Sequence, residues 1–139
     1  MRKRIAILGA ITLLLGACVG SETRDTYSAA QLPSKSHDAK VPGTGFHATA
    51  NIPCSMGGGA PTGSCPAGVK RQGGGSGIVT VTKPDGRTRT IFFDSGRATG
   101  YDQSQADSGR FSASKQGDLN IIKIGQERYE IPDAFVSGG

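Results

Sequence analysis

Short runs in which apolar and polar residues alternate follow one another from residue 78 to residue 131. In the last run Tyr129 and Ile131 fall on one face and Arg128 and Glu130 on the other, which is the period of two expected of a half-buried β-strand. Turn-forming residues separate the runs, as in 83–87, where Pro84 presets the backbone for a turn. The same criteria predict strands at residues 78–82, 88–93, 97–99, 110–115, 119–124 and 127–131.

The pattern predicts an all-β domain over residues 45–139. We expect about six or seven short strands in an antiparallel meander that closes into a small barrel or a sandwich. No segment has a sustained helical period. The longest connections without predicted structure are residues 57–77 and 101–109.

The first 17 residues have the composition of an export signal. Arg2, Lys3 and Arg4 precede an apolar run of 11 residues, 5–15. A membrane-spanning helix needs about 20 apolar residues, so the run is too short to cross a bilayer. It is typical of the apolar region of a secretory signal peptide, which is removed from the mature protein.

The end of this segment, Leu15-Gly16-Ala17-Cys18, resembles the lipobox of bacterial lipoproteins. The resemblance implies cleavage before Cys18, lipidation of its thiol and acylation of its new amine. Several acyl chains anchor a protein stably, because each buried methylene contributes about 0.8 kcal/mol. Val19 follows the cysteine, and no aspartate is present there to favour inner-membrane retention, so we expect the outer membrane, facing the periplasm. An ordinary signal peptide with an accidental cysteine is the alternative.

Residues 18–44 are predicted to form a flexible tether that carries the lipidated Cys18. They are rich in small and polar residues, with Tyr27 and Leu32 almost the only large apolar side chains. Such a segment buries too little apolar surface to offset the entropy of ordering it. It would hold the β-domain close to the membrane.

Cys54 and Cys65 are predicted to form a disulfide bond. An exported chain meets an oxidising compartment, and lipidation of Cys18 leaves these two as a pair. The alternative is a metal site that adds His37 and His47, but the spacing matches no zinc-finger pattern. Redox catalysis is disfavoured because ten residues, and not two, separate the cysteines.

The positive charge of the chain does not indicate nucleic-acid binding. The formal net charge is +5, but Arg2, Lys3 and Arg4 contribute three of the 16 basic residues, which leaves 13 against 11 acidic ones. Basic and acidic residues alternate along the β-domain, and only 6% of the residues are aromatic. A basic groove lined with aromatics is therefore not expected, and we predict no nucleic-acid partner.

The sequence carries no convincing catalytic, cofactor-binding or metal-binding motif. The glycine-rich run 73–77 lacks the Lys-Ser/Thr of a phosphate-binding loop and leads into a strand. The acids and amides at 102–107 resemble a calcium loop in spacing, but the sixth position is Asp107, where that loop requires glycine. This connection is instead the favoured interaction loop, with candidate residues Tyr101, Asp102, Gln103, Ser104 and Asp107.

From about Phe46 onward the chain resembles a family of small envelope lipoproteins of bacteria. The resemblance rests on the motifs at 52–54, 65–69, 73–75, 81–87 and 104–107, and above all on Glu127-Arg128-Tyr129-Glu130-Ile131-Pro132-Asp133-Ala134. It implies an exported β-rich domain and brings no activity with it.

Two classes of function follow as hypotheses. The favoured one is a non-enzymatic envelope lipoprotein, anchored in the membrane through Cys18, whose β-domain contacts an envelope protein or the cell wall. A narrower form is a periplasmic inhibitor of lysozyme or another hydrolase, suggested by size and location alone. The other class is a weak glycan-acting enzyme or small-ligand binder, which requires two carboxylates, or Tyr101 with Asp102, to meet in a pocket.

Overall fold

The computed structural model describes residues 38–105 and 107–138, and they form an all-β domain with one short helix. The prediction of an antiparallel all-β fold is confirmed. The elements are β1 (Ala48–Ser55), β2 (Gly63–Gly73), β3 (Ser76–Thr82), β4 (Thr88–Asp94), β5 (Arg97–Tyr101), β6 (Phe111–Gln116), β7 (Leu119–Ile124), β8 (Glu127–Pro132) and α1 (Asp133–Ser137).

The eight strands make one antiparallel sheet in the order β5-β4-β3-β2-β1-β8-β7-β6. Two meanders, β1–β5 and β6–β8, join where β1 pairs with β8, at Cys54 opposite Tyr129. The sheet curls into a nearly closed barrel in which the edge strands β5 and β6 face each other. Side chains bridge this seam, because the ring of Tyr101 stacks on that of Phe111 with centroids 6.1 Å apart.

Alternating side chains of most strands fill the barrel. Val79 and Val81 of β3 and Ile91 of β4 are fully buried, and the residues next to them in these strands are more exposed. An eight-stranded barrel has an interior just wide enough for side chains to fill it. The apolar core therefore follows directly from the alternation seen in the sequence.

The helix α1 covers one end of the barrel. It follows β8 directly, with Pro132 at its N-cap and Phe135 and Val136 buried against the core. The Arg71 guanidinium binds the backbone carbonyl oxygens of Ala134 and Phe135 at distances of 3.0–3.3 Å. A cation at the end of a helix satisfies carbonyls that have no partner within the helix.

The other end of the barrel, which we call the mouth, is formed by four connections. These are the β1–β2 connection 56–62, the β3–β4 turn 83–87, the β5–β6 connection (102–105 and 107–110) and the β7–β8 turn 125–126. All four follow from the strand directions, since β1, β3, β5 and β7 end at the mouth and β2, β4, β6 and β8 begin there.

Three details of the predicted organisation are wrong. Residues 57–77, predicted to lack structure, contain the eleven-residue strand β2. Its sequence, GSCPAGVKRQG, is rich in glycine and contains a proline, so the alternation of buried and exposed positions is not evident from the residue types. The helix α1 was not predicted, because five residues are too few to show a helical period. Tyr101, placed at the start of the second connection without predicted structure, is the last residue of β5.

A disulfide bond joins Cys54 of β1 to Cys65 of β2, as predicted, with Cα atoms 5.8 Å apart. In the β1–β2 ladder Cys54 lies opposite Gly63 and Cys65 opposite Ile52, so the bond runs diagonally between the two strands. Both cysteines are buried in the core.

Several sequence predictions lie outside the described residues. These are the signal peptide 1–17, the lipidated Cys18, most of the tether and His37. The described part of the predicted tether, 38–44, contacts the barrel, because the Asp38 carboxylate forms an ion pair with Arg71 at 3.0 Å. At the end of this stretch the chain forms a local turn, in which the Val41 amide donates to the carbonyl of Phe46, two residues before β1.

Candidate functional site

The mouth holds a cluster of charged side chains inside the barrel. Lys83 follows the inward-facing Val81, Arg89 precedes Ile91 on β4, and Glu127 precedes Tyr129 on β8. Arg89 and Glu127 are thus in phase with the apolar residues of their own strands, and Lys83 continues the phase of β3 into the turn, so the three side chains point into the barrel. All three are buried, and Arg89 is fully inaccessible to solvent.

Glu127 is the centre of this cluster, because its carboxylate accepts four hydrogen bonds. Arg89 donates from Nε to Oε2 and from Nη2 to Oε1, both at 2.8 Å. The Tyr129 hydroxyl donates to Oε2 at 2.8 Å, and Lys83 Nζ donates to Oε1 at 3.1 Å. Two-point binding of a carboxylate by a guanidinium is the strongest arrangement such a pair can adopt.

These contacts fix the protonation states of the cluster. Burial by itself would raise the pKa of Glu127, but the hydrogen bonds from Arg89, Tyr129 and Lys83 outweigh it and hold that pKa below its usual value. The hydrogen bonds from Arg89 to Glu127 raise the pKa of the guanidinium. Burial, together with the neighbouring Glu127, raises the pKa of Tyr129 far above that of a free tyrosine. At neutral pH the cluster therefore holds the Glu127 carboxylate, the Arg89 guanidinium and the neutral Tyr129 phenol.

Arg89 also joins the cluster to the β5–β6 connection. Its Nη2 donates to the backbone carbonyl of Asp107 at 2.8 Å, and its Cζ lies 5.3 Å from the centre of the Tyr101 ring, within the range of a cation–π interaction. Of its nitrogens, Nη1 is buried and has no hydrogen-bond partner among the described residues.

A second, exposed layer of charge surrounds this buried cluster. The Arg87 guanidinium bridges the carboxylates of Asp85, at 2.7 Å, and Asp107. Asp107 Oδ2 also lies 3.5 Å from Lys83 Nζ, so one carboxylate oxygen contacts two cations. The hydrogen bonds from Arg87 hold the pKa of Asp85 below its usual value.

The two layers line a cleft of about 450 Å³ at the mouth. Apart from the charged residues, its walls include Met56, Ile124, Ser108 and Gln126. The volume falls within the range of small-ligand pockets, about 300–1,000 Å³. Five of its ten lining residues are charged, and Met56 and Ile124 add an apolar wall, so the cleft suits a ligand that carries charge.

The structure separates the five candidate residues of the predicted interaction loop. Tyr101 is buried, and its hydroxyl both donates to the carbonyl of Gly109 at 2.6 Å and accepts from the Gly109 amide at 2.9 Å. The Asp102 carboxylate accepts hydrogen bonds from the amide and the hydroxyl of Ser104. Gln103 is exposed. Of the five, Asp107 lines the mouth cleft.

The glycan-acting hypothesis required carboxylates, or Tyr101 with Asp102, to meet in a pocket. The structure brings Asp85, Asp107 and Glu127 to one cleft, but each is paired with a cation. Tyr101 and Asp102 do not converge, because both are engaged within the β5–β6 connection.

Lys83, Arg89 and Glu127 were not recognised as site residues from the sequence. A signal was present, since Arg89 is in phase with the inward-facing Ile91 and Phe93, and Glu127 with Tyr129 and Ile131. Such a cluster could be predicted from charged residues that lie next to a turn and have the same strand phase as the buried apolar residues. The alternation of basic and acidic residues along the β-domain instead suggested that the charges lie on a mixed, solvated surface.

His47 and the glycine-rich run 73–77, which were considered as candidate metal-binding and phosphate-binding residues, have structural roles. His47 Nδ1 accepts a hydrogen bond from the Arg71 amide at 2.8 Å. The glycines 73–75 adopt positive φ in the β2–β3 turn, and an added Cβ on Gly75 would lie 2.6 Å from the backbone nitrogen of Gly96. Within residues 38–105 and 107–138, no three histidine, cysteine or acidic side chains are grouped to hold a metal ion.

Comparison with protein-family models, with curated proteins and with solved structures finds no match to this chain. In the described part of the chain, no helix has the length and apolar character needed to cross a membrane.

Proposed function

We propose that this chain is a lipid-anchored, non-enzymatic module of the cell envelope that binds an envelope protein or a cell-wall partner at the mouth of its barrel. The anchor is Cys18, for which the lipobox-like sequence 15–18 is the support. An outer-membrane position facing the periplasm is part of this proposal, and it rests on Val19 following the cysteine.

The observation that carries the binding function is the mouth cleft with its charged floor. Lys83 and Glu127 line the cleft, Glu127 is held from inside by Arg89 and Tyr129, and Lys83 is held by Glu127. Side chains that are buried and hydrogen-bonded keep one geometry, which lowers the entropic cost of binding. The sheet thus presents a preorganised surface at one end of the barrel.

The rim of the cleft is accessible to a large partner. The side chains of Arg87, Asp107 and Asp85 are 53%, 49% and 45% exposed. They belong to connections supported by a rigid sheet, which is where recognition residues are most often found. A macromolecule can therefore reach the charges without entry into the barrel.

The state of the carboxylates favours binding over acid–base catalysis. A general acid or base works best when its pKa lies near the operating pH. The four hydrogen bonds to Glu127 keep its pKa below the usual value, so at neutral pH it is a poorly basic, fully engaged carboxylate. Asp85 is similarly held by Arg87.

Lipid anchoring is tested by growth of the producing cells with an alkyne-labelled fatty acid. The wild-type protein should take up the label and sediment with the membranes, and the Cys18→Ser variant should do neither. Equal labelling of both proteins would contradict the anchor.

Partner binding is tested by affinity capture of the full-length protein from detergent-solubilised membranes after crosslinking in the cell. Two matched charge reversals serve as variants, Arg87→Glu at the mouth and Arg97→Glu, which is also exposed but lies at the helix end of the barrel. A partner that is lost with Arg87→Glu and kept with Arg97→Glu supports the proposal. Equal capture by both variants would contradict a role for the mouth.

A further inference from the structure

The contacts of Asp107 indicate what chemical group the mouth recognises. We propose that Lys83 and Arg87 form a carboxylate-binding site, that the Asp107 side chain fills it as an internal competitor, and that the natural ligand is a peptide carboxylate. This inference rests on the proposed function, because it names the chemistry bound at the same cleft.

The first support is that two cations converge on one carboxylate oxygen. Lys83 Nζ and the Arg87 guanidinium both contact Oδ2 of Asp107. They approach from different strands, since Lys83 follows β3 and Arg87 precedes β4. Such a pair of donors has the geometry to hold any carboxylate at this point.

The second support is that Asp107 holds this position weakly. Its ion pair with Arg87 joins two side chains that are each about half exposed, and its contact with Lys83 is long, at 3.5 Å. Exposed ion pairs of this kind contribute little to stability. The backbone of Asp107 is fixed separately, because its carbonyl binds Arg89. Rotation of the Asp107 side chain into solvent therefore frees Lys83 and Arg87 for a ligand and leaves the hydrogen bonds around Glu127 in place.

The third support is that Lys83 has binding capacity to spare. An ammonium group has three donors, and among the described residues Nζ contacts only Glu127 at 3.1 Å and Asp107 at the longer distance. The side chain is 4% exposed and lines the cleft. A buried cation gains strongly from a carboxylate that approaches more closely than Asp107 does.

The walls of the cleft favour a peptide as the bearer of the carboxylate. Met56 and Ile124 provide an apolar surface beside the cations, and Ser108 and Gln126 add polar groups suited to a peptide backbone. No aromatic residue lines the cleft in the described part of the chain, so it offers no flat face to a sugar ring.

Met56 makes this inference measurable on the full-length protein. The chain has two methionines, Met1 and Met56, and the second lines the cleft. With ¹³C-labelled methionine methyl groups, the Met56 signal reports binding at the mouth. The probes are acetylated alanyl-alanyl-leucine with a free terminal carboxylate, the same peptide as its amide, and an amidated peptide with one glutamate side chain.

We expect the free acid to shift the Met56 signal in a saturable manner and the amidated alanyl-alanyl-leucine to leave it unchanged. A shift with the glutamate peptide would assign the carboxylate to a side chain, and a shift with the free acid alone would assign it to a chain terminus. Either result supports the site. Equal responses to the acid and the amide of the same sequence, or no response to any probe, would overturn it.

Three exposed variants test the roles of the residues with little risk to folding. Asp107→Asn should tighten binding about threefold, the size expected for removal of a competing exposed ion pair. Arg87→Gln should weaken binding about tenfold, as expected for loss of a charge-assisted contact. Asp85→Asn is the matched control, since Asp85 forms an ion pair with Arg87 and none with Lys83. If Asp85→Asn tightened binding as much as Asp107→Asn, local charge alone would explain the effect and the competitor role would be overturned.

The failure of this inference can be distinguished from failure of the proposed function. If no carboxylate binds while capture still depends on Arg87 and not on Arg97, the mouth remains the binding surface and its ligand has another chemistry. If carboxylates bind while capture is unchanged by Arg87→Glu, the site exists and the proposed partner surface is wrong.

Discussion

The guanidinium of Arg89 and the carboxylate of Glu127 form a two-point ion pair inside the barrel, with both N–O distances at 2.8 Å. Arg89 enters from β4 and Glu127 from β8, strands that are not neighbours in the sheet. The pair therefore spans the interior and ties opposite walls of the mouth together. Buried pairs of this kind are better explained by the geometry they impose than by the stability they add.

Replacement of Glu127 by glutamine should be strongly destabilising. Arg89 would keep its charge in a fully buried position without a countercharge, because Glu127 is its one ion-pair partner among the described residues, and loss of one partner of a buried pair costs about 3–5 kcal/mol. The free energy of unfolding, measured in urea, checks this. Glu130→Gln is the matched control, because Glu130 pairs with Arg128 in a more exposed position. Its cost should be about 1 kcal/mol, and an equal cost for both variants would contradict the account.

The same glutamate should make stability depend on acid pH. Its pKa is lowered by folding, so its contribution is complete above the unfolded value, about 4.3, and is lost as pH falls through the lower, folded value. The stability difference between wild type and Glu127→Gln should therefore shrink when unfolding is followed from about pH 7 down to about pH 3. A difference that stayed constant over this range would show that the charge of Glu127 is not the cause.

Gly109 should not tolerate a side chain. A Cβ at this position would lie 2.6 Å from the backbone of Gly125, where the β5–β6 connection crosses the β7–β8 turn. We expect Gly109→Ala to lower the free energy of unfolding by about 1–3 kcal/mol, the usual cost of overpacking. Gly100→Ala is the control, because a Cβ there meets no atom within 4 Å. Similar unfolding curves for the two variants would contradict the close approach.

The disulfide bond should stabilise the barrel by limiting the unfolded chain. Cys54 and Cys65 are 11 residues apart, and closure of a loop of that size contributes about 3 kcal/mol in the chain-entropy estimate. Replacement of both by alanine should cost at least this much in urea unfolding. A reducing agent should destabilise the wild type and leave the double variant unaffected, and a wild type insensitive to reduction would refute the bond.

The fold was predictable where local signals agree with the final structure. The β3–β4 hairpin follows from the β-branched run at 78–82 and from Pro84 and Gly86 in its turn. The strand β2 was not recognised, because its pairing with β1 and β3 overrides a local sequence rich in glycine. Strand pairing between distant parts of the chain is decided by tertiary contacts, which local propensity does not contain.

The candidate site was less predictable than the fold. Asp107 was included in the predicted interaction loop, but its partners Lys83 and Arg87 lie in a different turn. The sequence separation of Arg89 and Glu127 is 38 residues, and no local pattern links them. Their meeting depends on closure of the barrel through the β1–β8 pairing. A single sequence therefore indicates that each charged side chain points into the barrel, but it does not indicate which residue the side chain pairs with.

The central claim, that the mouth is the binding surface, is tested most directly by site-specific photocrosslinking in living cells. The photoreactive residue would replace Gln126 at the mouth or, as the matched control, Gln116 at the opposite end; both are exposed glutamines in or next to turns. The account predicts a discrete crosslinked product at Gln126 that is absent at Gln116 and is lost with Arg87→Glu. Crosslinks at Gln116 alone, or equal products at both positions, would contradict it.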